Sequence, residues 1–396
     1  MNLKRRERIL KALEHKEPDR VPVDLGGMWC TGIMGIAYNQ LKNYWGIKEG
    51  KTKIYDLGQQ LAMVEPVILE HINADVMPVP PCIKEWKSWQ LPDGSPCEVP
   101  VDFNPERLQD GSLILKDEEG HVIFKMPSKG YYFDNVYHPL AEASSISELE
   151  DYPFYTPPSD EELKSLEENA KNLYETTDYA VMAGAGGIYE WAQGLRGWDI
   201  FMMDLASDPK FAGYLLDKLV EANIQSLEQT LPKVKGYVHI ISGGDDLGMQ
   251  DGPQFSPELY RRVIKPRQKR LYRYIKEHSG AYLFYHTCGS VYELIPDLIE
   301  IGIDILNPVQ VSANGMDSKK LKKEFGKDIV FWGGCDTQKV LPFGTPEEVR
   351  QEVKRRIEDF APGGGFVFNQ VHNIQAGVPP ENIEAMYEAV KEFGKY

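Results

Sequence analysis

Short apolar runs alternate with amphipathic stretches along the C-terminal two-thirds of the chain. The segments YVHIIS, AYLFYH, DILNPV, DIVFWG and GFVFNQ have the length and composition of buried strands, and helical periodicity separates them. Ser256 and Thr345 stand where helix N-caps are expected, and Gly280 suits a helix exit. Strands that alternate with helices in this way predict parallel strands joined by crossover helices.

The same pattern continues toward the N-terminus. RVPVDLGG, ADVMPVP and YAVMAGAGG add further strands and bring the total to about eight. The first residues, MNLKRRERILKALEHKEPDR, have the spacing of an amphipathic helix that stops at Pro18. We therefore predict an α/β fold, a (β/α)8 TIM barrel with an N-terminal helix, and a doubly wound open sheet is the second choice.

Residues 82–155 depart from this pattern. They are rich in proline, glycine and aromatic residues, and PDG and DEEG are hairpin-turn signals between short alternating runs. We predict that residues 1–396 form a single barrel domain with a β-rich insertion in an early loop. Since barrel active sites lie at the C-terminal ends of the strands, this insertion is expected to be a lid or a substrate-shaping element.

Composition narrows the functional classes. The 396 residues are 42% hydrophobic, with no apolar run long enough to span a bilayer and no apolar signal-peptide core, so a cytoplasmic location is expected. A formal net charge of −16 disfavours nucleic acid and anionic membranes as partners. Five cysteines in such a chain favour buried thiols, metal ligands or nucleophiles over a disulfide framework.

Three soft ligands follow predicted strands. His286 and Cys288 are two residues apart in YHTCGS, and Cys335 follows the apolar run of VFWGGCD. All three would lie at the C-terminal rim of one barrel, and three N/S ligands with a position left open are typical of a catalytic zinc site. The alternative is that the cysteines are buried structural thiols and the histidine a core residue. The remaining cysteines are expected not to be ligands: Cys30, Cys82 and Cys97.

Other polar side chains also follow predicted strands. Asp246 and His372 are candidate catalytic residues, because a carboxylate or an imidazole at the rim could move a proton or support a metal ligand. The alternative role of Asp246 is to cap a helix, and that of His372 is to bond to a nearby backbone group. The candidate substrate-binding residues are Tyr189, Trp191, Gln250, Asn307, Gln310, Gln338 and Asn369.

Several longer segments together resemble the uroporphyrinogen decarboxylase superfamily. They are RRERILKALEHKEPDRVPV, DDLGMQDGPQFSPELYRRVIKPRQKRL, YHTCGS, GIDILNPVQ and FNQVHNIQAGVPPENIEAMYEAV. Within that superfamily the chain is similar to the cobalamin-dependent methyltransferase branch. The resemblance implies a TIM barrel with a zinc site of one histidine and two cysteines. His286 and Cys288 match its His-x-Cys element, and Cys335 matches its later cysteine.

The resemblance also implies an activity, a cofactor and a partner. It implies zinc-dependent transfer of a methyl group between a small methylated substrate and a corrinoid carried on a separate corrinoid-binding protein, since this chain has no corrinoid-binding motif. The aromatic insertion favours O-demethylation of a methoxylated aromatic. A methylcorrinoid:coenzyme M-type thiol methyltransferase is the alternative. A decarboxylase is less favoured, because VPVDLGGMWC lacks the arginines that a polyanionic tetrapyrrole requires. A binding barrel without activity and a homodimer also stay open.

Overall fold

The computed structural model describes residues 3–396 as an α/β barrel. Its strands are β1 (Ile54–Asp56), β2 (Leu61–Ala62), β3 (Val76–Pro78), β4 (Trp86–Gln90), β5 (Pro96–Pro100), β6 (Glu106–Arg107), β7 (Leu113–Lys116), β8 (Val122–Met126), β9 (Asp134–Asn135), β10 (Ala180–Gly184), β11 (Ile240–Gly244), β12 (Tyr282–His286), β13 (Ile305–Asn307), β14 (Val330–Cys335) and β15 (Phe366–Gln370).

The helices connect these strands and surround the barrel. They are α1 (Arg5–Leu13), α2 (Gly35–Tyr44), α3 (Pro66–Ile72), α4 (Ile146–Glu150), α5 (Asp160–Thr176), α6 (Tyr189–Arg196), α7 (Trp198–Ser207), α8 (Pro209–Val234), α9 (Pro257–Leu259), α10 (Lys265–Ser279), α11 (Ile295–Glu300), α12 (Ser318–Phe325), α13 (Val340–Phe343), α14 (Pro346–Phe360) and α15 (Pro380–Phe393). Within residues 3–396, no helix is both long and apolar enough to cross a membrane.

Seven parallel strands form the main sheet of the described residues, in the order β15-β14-β13-β12-β11-β10-β3. The segment that opens the chain fills the remaining gap. Val23 pairs in parallel with Phe368, the Asp24 N–H donates to the Phe368 carbonyl at 3.0 Å, and the Asp75 N–H donates to the Val23 carbonyl at 2.8 Å. This short eighth strand joins β15 to β3, and the predicted (β/α)8 barrel is confirmed.

Helix α1 covers the N-terminal end of the barrel. Its Ile9, Ala12 and Leu13 pack in the same apolar cluster as side chains inside the barrel, among them Phe284 and Trp332. The sequence predicted this amphipathic helix, and the structure shows that its apolar face closes the barrel rather than resting on the outside.

A buried carboxylate fastens this closed end. Asp75 has no exposed surface and accepts hydrogen bonds from Arg8 Nη1 at 2.6 Å, from Arg20 Nη1 at 2.7 Å and from the Val23 N–H at 2.9 Å. It therefore joins α1, the opening strand and β3. Each of its oxygens has a partner, so the buried charge is paired.

The helix ends confirm the predicted caps. Ser256 accepts from the Leu259 N–H, Thr345 forms a capping box with Glu348, and Gly280 is left-handed at φ 71°. The long segment after Ser256 is broken by a π-helical turn at residues 260–264, immediately before α10. Pro266 lies in the first turn of α10, directly after this π-helical turn.

The β-rich insertion is also present. Strands β4 and β5 form one hairpin, and β6, β7, β8 and β9 form a small antiparallel sheet, all between β3 and α5. The insertion touches the loop after the last barrel strand, since the Tyr132 hydroxyl donates to Gln375 Oε1 at 2.8 Å. It therefore lies beside the C-terminal rim, and its role as a lid stays a prediction.

Candidate functional site

Two histidines and a cysteine come together at the C-terminal rim of the barrel. The ligand atoms of His286, Cys288 and His372 all lie within 4.8 Å of one another. His286 is the last residue of β12, Cys288 follows it by two residues, and His372 follows β15 by two residues. We call these three residues the ligand trio. The two imidazole rings meet edge to face, with 5.6 Å between their centroids.

Asn307, at the end of β13, fixes the tautomer of His286. Its amide nitrogen donates to the Trp332 carbonyl at 3.0 Å, so its amide oxygen must face the histidine. That oxygen lies 2.6 Å from His286 Nδ1, which must therefore carry the proton. The lone pair of His286 is left on Nε2, 3.4 Å from the Cys288 sulfur. A hydrogen bond from the ring nitrogen that does not bind the metal, here Nδ1, is the usual support for a metal-binding histidine.

Carboxylates stand on one side of the trio. Asp246 Oδ1 lies 3.6 Å from His286 Nε2 and accepts from the Cys288 N–H at 2.7 Å. The Asp246 N–H in turn donates to Glu190 Oε2 at 3.1 Å. Asp245 is fully buried and accepts from the N–H groups that begin α6, and burial raises its pKa to about 6. Burial and the neighbouring Asp246 raise the pKa of Glu190 to about 8, so Asp246 is the carboxylate whose negative charge favours a cation at the trio.

The ionisation of the trio also suits a metal ion. Burial, with the Asp246 and Glu190 carboxylates, raises the pKa of the Cys288 thiol well above its usual value. Burial, with His286, lowers the pKa of His372 to about 4, so its imidazole is neutral at pH 7. A thiolate in such a place needs a positive partner, and two imidazoles with one thiolate are ligands that zinc prefers. The donor set therefore fits the ion implied by the sequence.

Cys335 does not join this group. It is fully buried in the layer between the barrel and the outer helices, and the charges that act on its thiol are those of Glu352, Asp336 and Arg356. Gly333 and Gly334, at φ 135° and 99°, interrupt the regular backbone just before it. The third member of the trio is instead His372, which the sequence singled out for catalysis.

Cys30, which the sequence did not select, lies close to the trio. It is fully buried in the cluster inside the barrel, and its thiol is 3.4 Å from Asn307 Oδ1, the oxygen that also holds His286. Its position after the opening strand was the available signal. Because that strand pairs with β15, residues from the two ends of the chain meet at the rim.

The residues predicted to bind substrate have several different surroundings. Asn307 supports His286, as described. Gln310 Oε1 accepts from the Gly289 N–H at 2.8 Å, and its amide nitrogen bonds to Gln250, which also bonds to the Ser312 carbonyl. Gln338 accepts from the Ser312 hydroxyl at 2.7 Å. These three glutamines connect the loops after β11, β12, β13 and β14, so their observed contacts position the rim.

The aromatic candidates and Asn369 differ from these. Tyr189 is fully buried, and its hydroxyl donates to Gln254 Oε1 at 3.0 Å, whereas Trp191 is 37% exposed on α6. Asn369 on β15 is fully buried, and both polar atoms of its side chain lack a hydrogen-bond partner within residues 3–396. Of the predicted substrate-binding residues, Asn369 has the clearest unused bonding capacity.

Most of the barrel also matches a known protein family. The family model for uroporphyrinogen decarboxylase (URO-D) matches residues 132–393. The chain belongs to the uroporphyrinogen decarboxylase family. The matched region contains all three members of the ligand trio and most of the barrel, so the family named from the sequence segments is confirmed.

The relatives in this family are distant. The uroporphyrinogen decarboxylase of Psychromonas ingrahamii is 29% identical over 188 residues, which are 47% of this chain and 49% of that protein. Against this and similar relatives, the chain spans about half of their length. The protein of the same name from Thioalkalivibrio sulfidiphilus is 23% identical over all of this chain and 99% of its own.

A solved structure also matches over almost the full length. A methyltransferase from Methanosarcina mazei has a TM-score of 0.64 and 19% identity, and the superposition covers 99% of both chains. At 19% identity the match establishes the shared fold alone. The length that it covers includes the β-rich insertion.

Proposed function

We propose that this protein is a zinc-dependent methyltransferase that moves a methyl group from a small methylated substrate to a corrinoid on a partner protein. The observation that carries the proposal is the ligand trio, with His286 held in one tautomer by Asn307. The full-length likeness to a solved methyltransferase adds support. A methoxylated aromatic is the proposed methyl donor, and a thiol acceptor of the coenzyme M type is the alternative on the other side of the reaction.

His286, Cys288 and His372 would hold the zinc ion. When bound, a zinc ion would supply a Lewis acid for the ether oxygen, and a reduced corrinoid on the partner would supply the electron pair that takes the methyl group. In this proposal the bond between the methyl carbon and oxygen would break with its electron pair left on oxygen, and the phenol would form by taking a proton from solvent. Asn307 keeps His286 Nε2 free for binding, and Asp246 orients Cys288 through its N–H.

A decarboxylase acting on a tetrapyrrole fits these residues less well. Such a substrate carries many carboxylates and needs several arginines. Arg20, the arginine nearest to the opening strand, bonds to Asp75 at the closed end of the barrel. Asp246, beside the trio, would repel an anionic substrate.

Metal content is the first test. The purified protein should contain about one zinc per chain, and His372→Ala should lose most of it because three ligands become two. Cys335→Ala is the matched control, since this buried thiol lies away from the trio and should leave zinc content unchanged. If Cys335→Ala loses zinc and His372→Ala keeps it, the ligand assignment is wrong.

Methyl transfer is the second test. Added cob(I)alamin, followed by its absorbance, should be methylated by a methoxylated aromatic in the presence of the zinc-loaded protein. His372→Ala should abolish this transfer, and Cys335→Ala should retain it. A zinc-loaded protein that methylates cobalamin from none of a panel of ethers, thioethers and methylamines would refute the proposed function.

A further inference from the structure

An apolar cavity of about 230 Å³ opens beside the ligand trio. It lies at the C-terminal ends of β3, β10 and β11, under the loop that follows the opening strand. Four methionines and two aromatic residues form much of its wall: Met28, Met63, Met77, Met182, Trp29 and Tyr55. No side chain of Asp, Glu, Lys, Arg or His lines it within the described residues 3–396.

The cavity and the trio share a wall. Trp29 lines the cavity, and its ring centroid lies 5.6 Å from that of His286. Met28 and Met182 belong to the cluster inside the barrel that also contains Phe284, two residues before His286. Trp29 is 40% exposed, so this shared wall reaches the surface. A molecule that contacts Trp29 in the cavity would therefore lie close to the trio.

The wall of the cavity favours an uncharged ligand. Its side-chain hydroxyls are those of Ser242, which already donates to the Ala183 carbonyl at 3.2 Å, and of Tyr55. A carboxylate placed there would lose its hydration without gaining a positively charged partner, and Asp246 at the nearby trio would repel it. An ammonium group would need several aromatic faces around it, and the cavity offers two.

The methionines favour an aromatic ring in particular. Their sulfur atoms make favourable contacts with aromatic rings, and their unbranched chains adapt to irregular shapes. We propose that this cavity binds the ring of a neutral methoxyarene and directs its methyl ether toward the ligand trio. This inference rests on the proposed function and adds to it the charge class of the substrate and the residues that select it.

Binding tests this inference without any turnover. Titration calorimetry would compare methoxybenzene, 4-methoxybenzoate and 4-methoxyphenyltrimethylammonium on the zinc-loaded protein. Methoxybenzene should bind, and the two ions should bind at least about tenfold more weakly because each loses hydration without a partner of opposite charge. Equal or tighter binding of either ion would overturn the proposed neutrality.

A charge placed in the wall tests the location. Met77→Arg should weaken methoxybenzene and strengthen 4-methoxybenzoate, so that the ratio of their Kd values reverses. Met203→Arg makes the same change on the exposed face of α7 and is the matched control. If Met77→Arg does not fold, as judged by circular dichroism, Met63→Arg replaces it on the same wall. A folded variant with both Kd values unchanged would overturn the location.

The two proposals fail in different ways. If methoxybenzene binds and Met77→Arg reverses the preference while no methyl group reaches cob(I)alamin, the cavity assignment stands and the methyltransferase proposal fails. If methyl transfer from methoxybenzene is unaffected by Met77→Arg, the methyltransferase proposal stands and the cavity assignment fails.

Discussion

Replacing Asn307 by leucine should weaken zinc binding without removing a ligand. The leucine cannot accept the proton on His286 Nδ1, so this nitrogen loses its partner at 2.6 Å, and the imidazole is free to rotate or to change tautomer. Loss of such a partner typically lowers metal affinity by about 10- to 100-fold, or about 1.4 to 2.7 kcal/mol. The Trp332 carbonyl also loses its donor at 3.0 Å, which should cost about 1 to 3 kcal/mol of folding stability.

Asn307→Asp separates these two effects. An aspartate keeps an oxygen facing His286 Nδ1, so zinc affinity should be retained or raised. Its other oxygen replaces the amide that donates to the Trp332 carbonyl, so the folding stability should fall much as it does for leucine. Zinc affinity would be measured by competition with a chromogenic chelator, and stability by urea unfolding of the metal-free protein.

The pattern across the two variants decides the outcome. The tautomer argument predicts that only leucine weakens zinc, while both variants lose stability. If Asn307→Leu binds zinc as tightly as the parent protein, Asn307 does not support the ligand. If both variants lose zinc affinity in parallel, the effect comes from the damaged fold and not from the acceptor oxygen.

Three further predictions concern stability. Burial, together with the charge of Arg6, lowers the pKa of His239 to about 4, so at acidic pH the unfolded chain binds a proton that the folded chain does not. The unfolding free energy should therefore fall by no more than about 3 kcal/mol between pH 7 and pH 4, and partial exposure of the ring reduces this value. Urea unfolding at several pH values should show a flatter pH dependence for His239→Asn. Asp75→Ala should cost about 3 to 5 kcal/mol, because Arg8 keeps its burial but loses one carboxylate, while the zinc content of the folded protein stays unchanged. Asn369→Leu should raise the unfolding free energy by about 1 kcal/mol, because an amide without a partner among residues 3–396 leaves the interior, and it should lower methyl transfer. A loss of stability would show that the amide is satisfied in solution.

Much of the fold could be predicted because its signals are local. Apolar runs, caps such as Thr345 and stop signals such as Gly280 depend on neighbours within a few residues. Closure of the barrel was harder to predict from the sequence. It depends on a single strand pairing, between Val23 and Phe368, whose partners are far apart in the sequence. Helix periodicity also indicated that α1 has an apolar face, but not that this face would close the barrel end.

The sequence predicted that the candidate residues lie at one rim of the barrel, but it did not predict where each side chain points. The order of strands brought His286, Cys288 and His372 to the same rim. The direction of Cys335 could not be inferred, because two glycines with positive φ precede it and the simple alternation of side chains fails there. The role of Asn307 was also hidden, since a polar residue at a strand end is equally compatible with binding substrate and with holding a ligand.

The closed end of the barrel contains contacts that stabilise the fold, and the open end contains the candidate site. At the closed end, each oxygen of buried Asp75 has a partner, and the apolar face of α1 completes the packing. At the open end, the side chain of Asn369 has two buried polar atoms without partners among residues 3–396. Arrangements of the second kind cost folding free energy, and a protein tolerates them where they support binding or reaction. The closed end can supply stability that offsets this cost, because Asp75 and the apolar face of α1 lie at the opposite end of the barrel from the trio. Variants at the two ends should therefore separate cleanly: those at Asp75 should change unfolding and spare the metal, and those at Asn307 and His372 should change the metal site.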